Sequence, residues 1–266
     1  MVTAGLLIVL VTSVVARAES IGERAKSWLA IQAAHKAAAE TLANPNATAK
    51  ERLRVEQIYY QVVRDHPESA SAQNALATFL WRNGKPKAAI EHWRTAQRLD
   101  PDNGEAANSL GGAYLRMGRV REAAAYFLLA IRCESSNPDY HFDLANVEFL
   151  FRHDLAAAWN TDSAKLLERS LSEFREATRL APDDRTFAQA YAETFYVMPE
   201  PDWREAQAAW QHYLELSPNR NFAYLQLARV SLKQRNKNET LSFLDKISDS
   251  KFSGVKEKLR KQADAL

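Results

Sequence analysis

One cysteine in 266 residues, Cys133, leaves no partner for an internal disulfide. Late in a helical stretch, it reads as a small buried apolar group. Glycine and proline are scarce, at 8 and 9 residues, which argues against many short strands joined by tight turns. Neither sign of charge dominates: 35 Lys and Arg against 33 Asp and Glu leave a net +2. That excess is too small for the basic stripe a nucleic-acid binder carries. The histidines, His35, His66, His92, His141, His153 and His212, include no pair at the three-to-five-residue spacing of zinc ligands. Gly-rich phosphate loops and Gly-x-Ser-x-Gly turns are absent as well. Asp183-Asp184 and Asp100-Pro101-Asp102 read as caps in turns. Glu173 and Glu176 read as a solvated helix face. No catalytic residue, cofactor or metal is implied, and the chain is expected not to be an enzyme.

Only one long apolar run occurs, Leu6 to Val15, interrupted by Thr12 and Ser13 and followed by Ala16-Arg17-Ala18. This layout predicts a secretory signal peptide over 1–18, with cleavage after Ala18. The run is shorter than the roughly 20 apolar residues of a membrane span. The mature chain is therefore expected in the periplasm or outside the cell, with no stable span. No Lys or Arg precedes the run, so an uncleaved anchor stays open as the alternative.

What the sequence has in quantity is alanine, in clusters such as 37–39 and 123–125, and alanine is the best helix former. Hydrophobic residues at 46% and charged residues at 26% suit a folded chain. Two stretches, 70–103 and 104–137, align without a gap. Leu76-Ala77 meets Leu110-Gly111, Leu80 meets Tyr114, and Gly84 meets Gly118. Further on, Ala89 meets Ala123, Trp93 meets Phe127, and Ala96 meets Ala130. Apolar residues at positions 7, 8 and 11, then 20, 24, 27 and 30, have helical periodicity on each side of the glycine at position 15. Each unit therefore reads as helix, tight turn, helix.

Those residues resemble the tetratricopeptide repeat family. The implied fold is all-α: a right-handed superhelical solenoid of helix-turn-helix repeats. The frame continues through 138–183, where the distance from Ala145 to Ala177 implies a 13-residue insertion. It then runs through 184–220, with a short insertion at Met198-Pro199-Glu200-Pro201, and through 221–250, where Arg235-Asn236 replaces the turn glycine and Asn is the natural substitute. Upstream, 19–69 holds a degenerate pair, with helices near 23–42 and 51–65. Residues 251–266 read as a charged capping helix.

The resemblance further implies a protein-binding scaffold whose first helices line a concave face for a peptide or a partner helix. Positions 2, 5, 9 and 12 form the stripe beside the core positions. Position 12 is Trp81, Leu115, Phe149, Phe195 and Leu232; position 5 is Asn74, Asn108 and Phe142; position 9 of the third unit is Asn146. Arg82, Arg116 and Lys233 follow at position 13. Asparagine amides can clamp a peptide backbone and apolar groups can take its side chains. Against this, position 12 can simply pack on the next repeat. The insertion is expected to bulge as a loop presenting Trp159, or to fold back with Trp159 over the long helix 163–180. The candidate partner-binding residues are therefore Asn74, Trp81, Arg82, Asn108, Leu115, Arg116, Phe142, Asn146, Phe149 and Trp159. The basic clamp of chaperone-binding members is incomplete, since position 5 of the first clear unit is Asn74 rather than Lys. The alternatives are a glycan-binding or accessory subunit of an envelope enzyme, drawing on six Trp and nine Tyr, and self-association of the array.

Overall fold

The computed structural model describes residues 21–44 and 46–266; the signal segment expected over 1–18 lies outside them. Fourteen α-helices and two short 3-10 turns account for the regular structure of the described residues. The chain divides after Cys133 into two compact units.

The first unit contains α1 (Ile21–Ala43), α2 (Ala49–Asp65), α3 (Ala70–Arg82), α4 (Pro86–Leu99), α5 (Gly104–Arg116) and α6 (Val120–Cys133). Consecutive helices pair as hairpins. Their starts are written in side chains: Thr48 and Glu51 form a reciprocal capping box, and Ser69 and Asn103 accept from the backbone N–H groups of Ala72 and Ala106. Their stops are glycines. Gly84 and Gly118 both take φ of +73°, and in each turn the next residue's N–H reaches back to a helical carbonyl, Lys85 to Leu80 and Arg119 to Tyr114, both at 2.9 Å. The core is the expected periodic set: Leu76, Ala77, Leu80, Ala89, Trp93 and Ala96, then Leu110, Tyr114, Ala123, Phe127 and Ala130, all buried. At position 8 the second repeat carries Gly111 because a Cβ there would come within 2.6 Å of the Phe127 ring. Cys133, expected to be buried, is half-buried at the end of α6, its Sγ 3.7 Å from the Pro101 carbonyl.

The second unit contains α7 (Pro138–Leu150), α8 (Arg152–Trp159), α9 (Ser163–Leu180), α10 (Arg185–Thr194), α11 (Trp203–Leu216), α12 (Arg220–Lys233), α13 (Lys237–Asp245) and α14 (Ser253–Asp264). The insertion is not a bulging loop. It forms α8, because Leu155-Ala156-Ala157-Ala158 are strong helix formers and Leu155 is fully buried. Asn160, at φ +48°, stops α8, and Asp162 caps the long α9. In the last hairpin the left-handed residue is Arg235, at φ +60°, and not Asn236, whose side chain instead caps α13 by accepting from Glu239 N–H. Asn236 N–H closes that turn onto Ser231 O at 2.9 Å, the same bond as in the glycine turns.

The register also slips by one residue in α10. Asp184 accepts from Thr186 and Phe187 and sets the helix start at Arg185. Phe195, expected on the exposed stripe, is therefore a core residue, 1% exposed, packed edge-on against Tyr191. Tyr196 takes the half-buried place beside it and donates to the Gln226 carbonyl at 3.2 Å.

Candidate functional site

In the first unit, the first helices of the two clear hairpins, α3 and α5, touch one another. They carry six of the expected residues. Asn74 is 5% exposed, and its Oδ1 has no hydrogen-bond partner among the described residues. A buried amide left unsatisfied costs free energy that a leucine would not. Asn108, one repeat later, is half-buried, as are Trp81 and Leu115, while Arg82 and Arg116 are exposed. The Arg116 guanidinium lies 5.5 Å from the Trp81 ring centre, and the Trp81 and Trp93 rings lie tilted with their centres 5.5 Å apart. Stacking on an indole leaves the in-plane N–H groups of the guanidinium available to acceptors. Gly112, which no sequence signal marked as functional, lies on the same stripe one turn beyond Asn108. A Cβ built there meets nothing within 4 Å. The structure thus brings Trp81 and Arg116 together, beside an open step at Gly112.

In the second unit the four remaining residues are more fully engaged. Phe142 stands 5.6 Å from Phe174 and 4.7 Å from Phe187, and Phe149 stands 6.4 Å from Phe174. Both are half-buried packing groups against the core. The Asn146 amide donates to the Phe142 carbonyl of its own helix at 2.9 Å. Trp159 folds back: the Arg169 guanidinium sits 5.5 Å from its ring centre.

Two polar clefts of the second unit were not marked by the sequence. One, of about 570 Å³, is lined by Ser135, Ser136, His141, Glu173, Arg175 and Arg179 among others. There Glu173, expected on a solvated face, is 2.6 Å from Nδ1 of the nearly buried His141, whose Nε2 meets the Ser135 carbonyl at 3.0 Å. Nearby, Tyr191 donates to Glu205 at 2.5 Å, and burial pushes its phenol up to about 12. The other cleft, about 790 Å³, holds Trp203 among Asp202, Arg204, Gln207, Gln234 and Glu239. His141 and Glu173 lie on separate hairpin helices 32 residues apart, so no local pattern announces their pairing. Among the described residues no group of three or more His, Cys, Asp or Glu is placed to hold a metal, and no helix is long and apolar enough to cross a membrane.

The tetratricopeptide repeat family model matches residues 57–92 and 74–138, the stretch that contains the Gly84 and Gly118 turns. Residues 57–138 carry tetratricopeptide repeats, and the described chain has the tetratricopeptide fold. Several solved structures have a similar fold at low identity. YrrB, described as a tetratricopeptide protein with an unusual peptide-binding site, is 18% identical. The match covers 78% of this chain and 98% of YrrB, with a TM-score of 0.58. PilF of Pseudomonas aeruginosa is 17% identical over 92% of this chain and 99% of its own, with a TM-score of 0.58. MamA of Desulfovibrio magneticus RS-1 is 12% identical over 72% and 94%, with a TM-score of 0.51. No curated protein matches the sequence.

Proposed function

We propose that this tetratricopeptide repeat protein is a non-catalytic scaffold of the cell envelope that holds an extended peptide of a protein partner on the α3–α5 face of its first unit. The observation that carries this reading is the buried Oδ1 of Asn74, without a hydrogen-bond partner among the described residues, on the same stripe as the Arg116–Trp81 stack and the open step at Gly112. Amides at a repeat spacing suit a peptide backbone, which presents donors and acceptors along its length. The open step accepts a side chain, and Trp81 offers it an apolar wall. YrrB, of the same fold, is described as having a peptide-binding site, which supports the class of ligand. The apolar run at Leu6–Val15 supports export.

The test is selection from a displayed random-peptide library, followed by calorimetry of the best peptide against the intact chain and its Asn74→Ala/Asn108→Ala variant. The reading expects saturable binding that weakens roughly ten-fold in the variant, as loss of one or two hydrogen bonds implies. Equal affinity for both proteins would remove this face from consideration.

A glycan-binding role is the second reading. It is favoured by Trp203 standing among amides and carboxylates in the 790 Å³ cleft. Titration of an oligosaccharide array would support it if saturable binding were lost in Trp203→Ala.

A further inference from the structure

Helix α1 is apolar on two faces. One face is covered: Ser27, Ile31, Ala34 and Ala38, spaced by three and four residues, are all buried against the first unit. The opposite face of its first three turns carries Ile21, Ala25, Trp28 and Leu29, all exposed. Ile21 is 90% exposed, Trp28 59% and Leu29 61%. At about 3.6 residues per turn these four fall on one side of the helix, with Arg24 and Lys26 at its two borders. Elsewhere in the described chain large exposed apolar side chains occur singly, at Leu53, Met117, Leu150 and Val197 for example. Three within nine residues on one face form a patch.

The position of the patch in the chain argues what covers it. Only five residues, 16–20, separate Ile21 from the apolar run Leu6–Val15. Five residues span at most roughly 18 Å, so a bilayer engaged by that run lies within reach of the first turns of α1. An indole beside leucine and isoleucine, bordered by Arg24 on one side and by Lys26, 2.8 Å from the Glu23 carboxylate, on the other, is the side-chain set of a helix lying in the headgroup boundary. We propose that α1 is a membrane-contact element: its Ile21–Leu29 face rests in the interface of an anionic phospholipid bilayer, with Trp28 as the depth anchor and Arg24 and Lys26 at the headgroups. The scaffold would then be presented from the membrane surface by its first helix, beside the bilayer that the preceding apolar run engages.

The experiment uses the full chain with vesicles of phosphatidylethanolamine and phosphatidylglycerol carrying brominated acyl chains, which quench tryptophan at short range. Quenching that is present in the native protein and lost in Trp28→Phe is the expected result, because the remaining tryptophans lie in the repeats. Ile21→Ser/Leu29→Ser should weaken partitioning by roughly ten-fold or more, as loss of two buried apolar side chains implies. Equal quenching in the native protein and in Trp28→Phe would place Trp28 in water and overturn the proposal. A concentration-dependent dimer in sedimentation that Ile21→Ser/Leu29→Ser dissolves, with no Trp28 quenching, would also overturn it and assign the face to a second copy.

Discussion

The guanidinium of Arg169 lies between two side chains of different origin: the Trp159 ring, which α8 contributes, and the fully buried carboxylate of Glu148 on α7. The insertion therefore has a packing role. It covers the arginine that neutralises a carboxylate inside the second unit.

That arrangement fixes a consequence for Arg169→Ala. Glu148 would stay buried without its Nε and Nη2 donors. Removing one partner of a buried pair is costly, and because Arg169 is 39% exposed and Glu148 can take up a proton, the expected loss is on the order of 2 kcal/mol. Burial already raises the Glu148 carboxyl above its ordinary 4.5, against the opposing pull of Arg169. A raised folded value contributes stability that is complete below the ordinary value and is lost as pH rises through the folded one. Arg169→Ala should accordingly melt closer to the native protein at pH 5 than at pH 7, and Glu148→Gln should abolish that difference. Calorimetric scans of the three proteins at both pH values check it; a gap independent of pH would refute it.

His92 in the first unit has the opposite sign. Its Nδ1 meets Gln73 Oε1 at 2.7 Å, and burial lowers it below the ordinary 6.5. A depressed folded value means stability fully present above 6.5 and lost as pH falls through the folded value. His92→Gln, which keeps an amide donor for Gln73, should flatten the decline in melting temperature between pH 7.5 and 5. Hydrogen exchange of α3 and α4 amides at the two pH values would report it locally, and parallel curves would dismiss the idea.

The three turns closed by the same backbone bond permit a comparison within one molecule. Gly84 and Gly118 accept a left-handed φ without strain, whereas Arg235 adopts it at a cost of about 1–2 kcal/mol. Arg235→Gly should therefore stabilise the last hairpin, by about 0.5–1 kcal/mol after the entropy cost of glycine. Gly84→Ala and Gly118→Ala should each destabilise by about 1 kcal/mol or more, although neither Cβ meets a neighbour. Urea titrations of the three variants decide it. Destabilisation by Arg235→Gly would mean that the Arg235 side chain has a role beyond the turn.

Which features the sequence announces follows from how local their causes are. Gly84 and Gly118 act on residues within one turn of themselves, so spacing alone finds them. The slip that buries Phe195 is less visible, because Phe195 and Tyr196 are both aromatic and either fits an apolar stripe; only the Asp184 cap marks the start that decides between them. The insertion misleads for another reason. Its length suggests a loop, while its alanines and Leu155 favour a helix. Among the candidate site residues, composition separates Asn74 from the core but says nothing of its burial. The stack of Arg116 on Trp81 joins residues one repeat apart, which the 34-residue frame brings near but does not orient.

Asn74 offers the sharpest separation of stability from function. At the same repeat position in the last hairpin stands Leu225, 4% exposed, so a leucine fits the hairpin geometry there. Asn74 Oδ1 is buried without a partner among the described residues, and an unsatisfied amide costs about 1–3 kcal/mol against an apolar group of similar shape. Asn74→Leu should therefore raise the stability of the first unit by about 1 kcal/mol, given that its branched end must be accommodated in the space the amide fills. If the amide is retained for a ligand's backbone, the same substitution should weaken the selected peptide. A variant that is both more stable and poorer at binding is the signature of a residue held for function. A variant that unfolds more easily would instead give Asn74 a structural task, and the reading of the α3–α5 face would have to rest on Asn108, Trp81 and Arg116 alone.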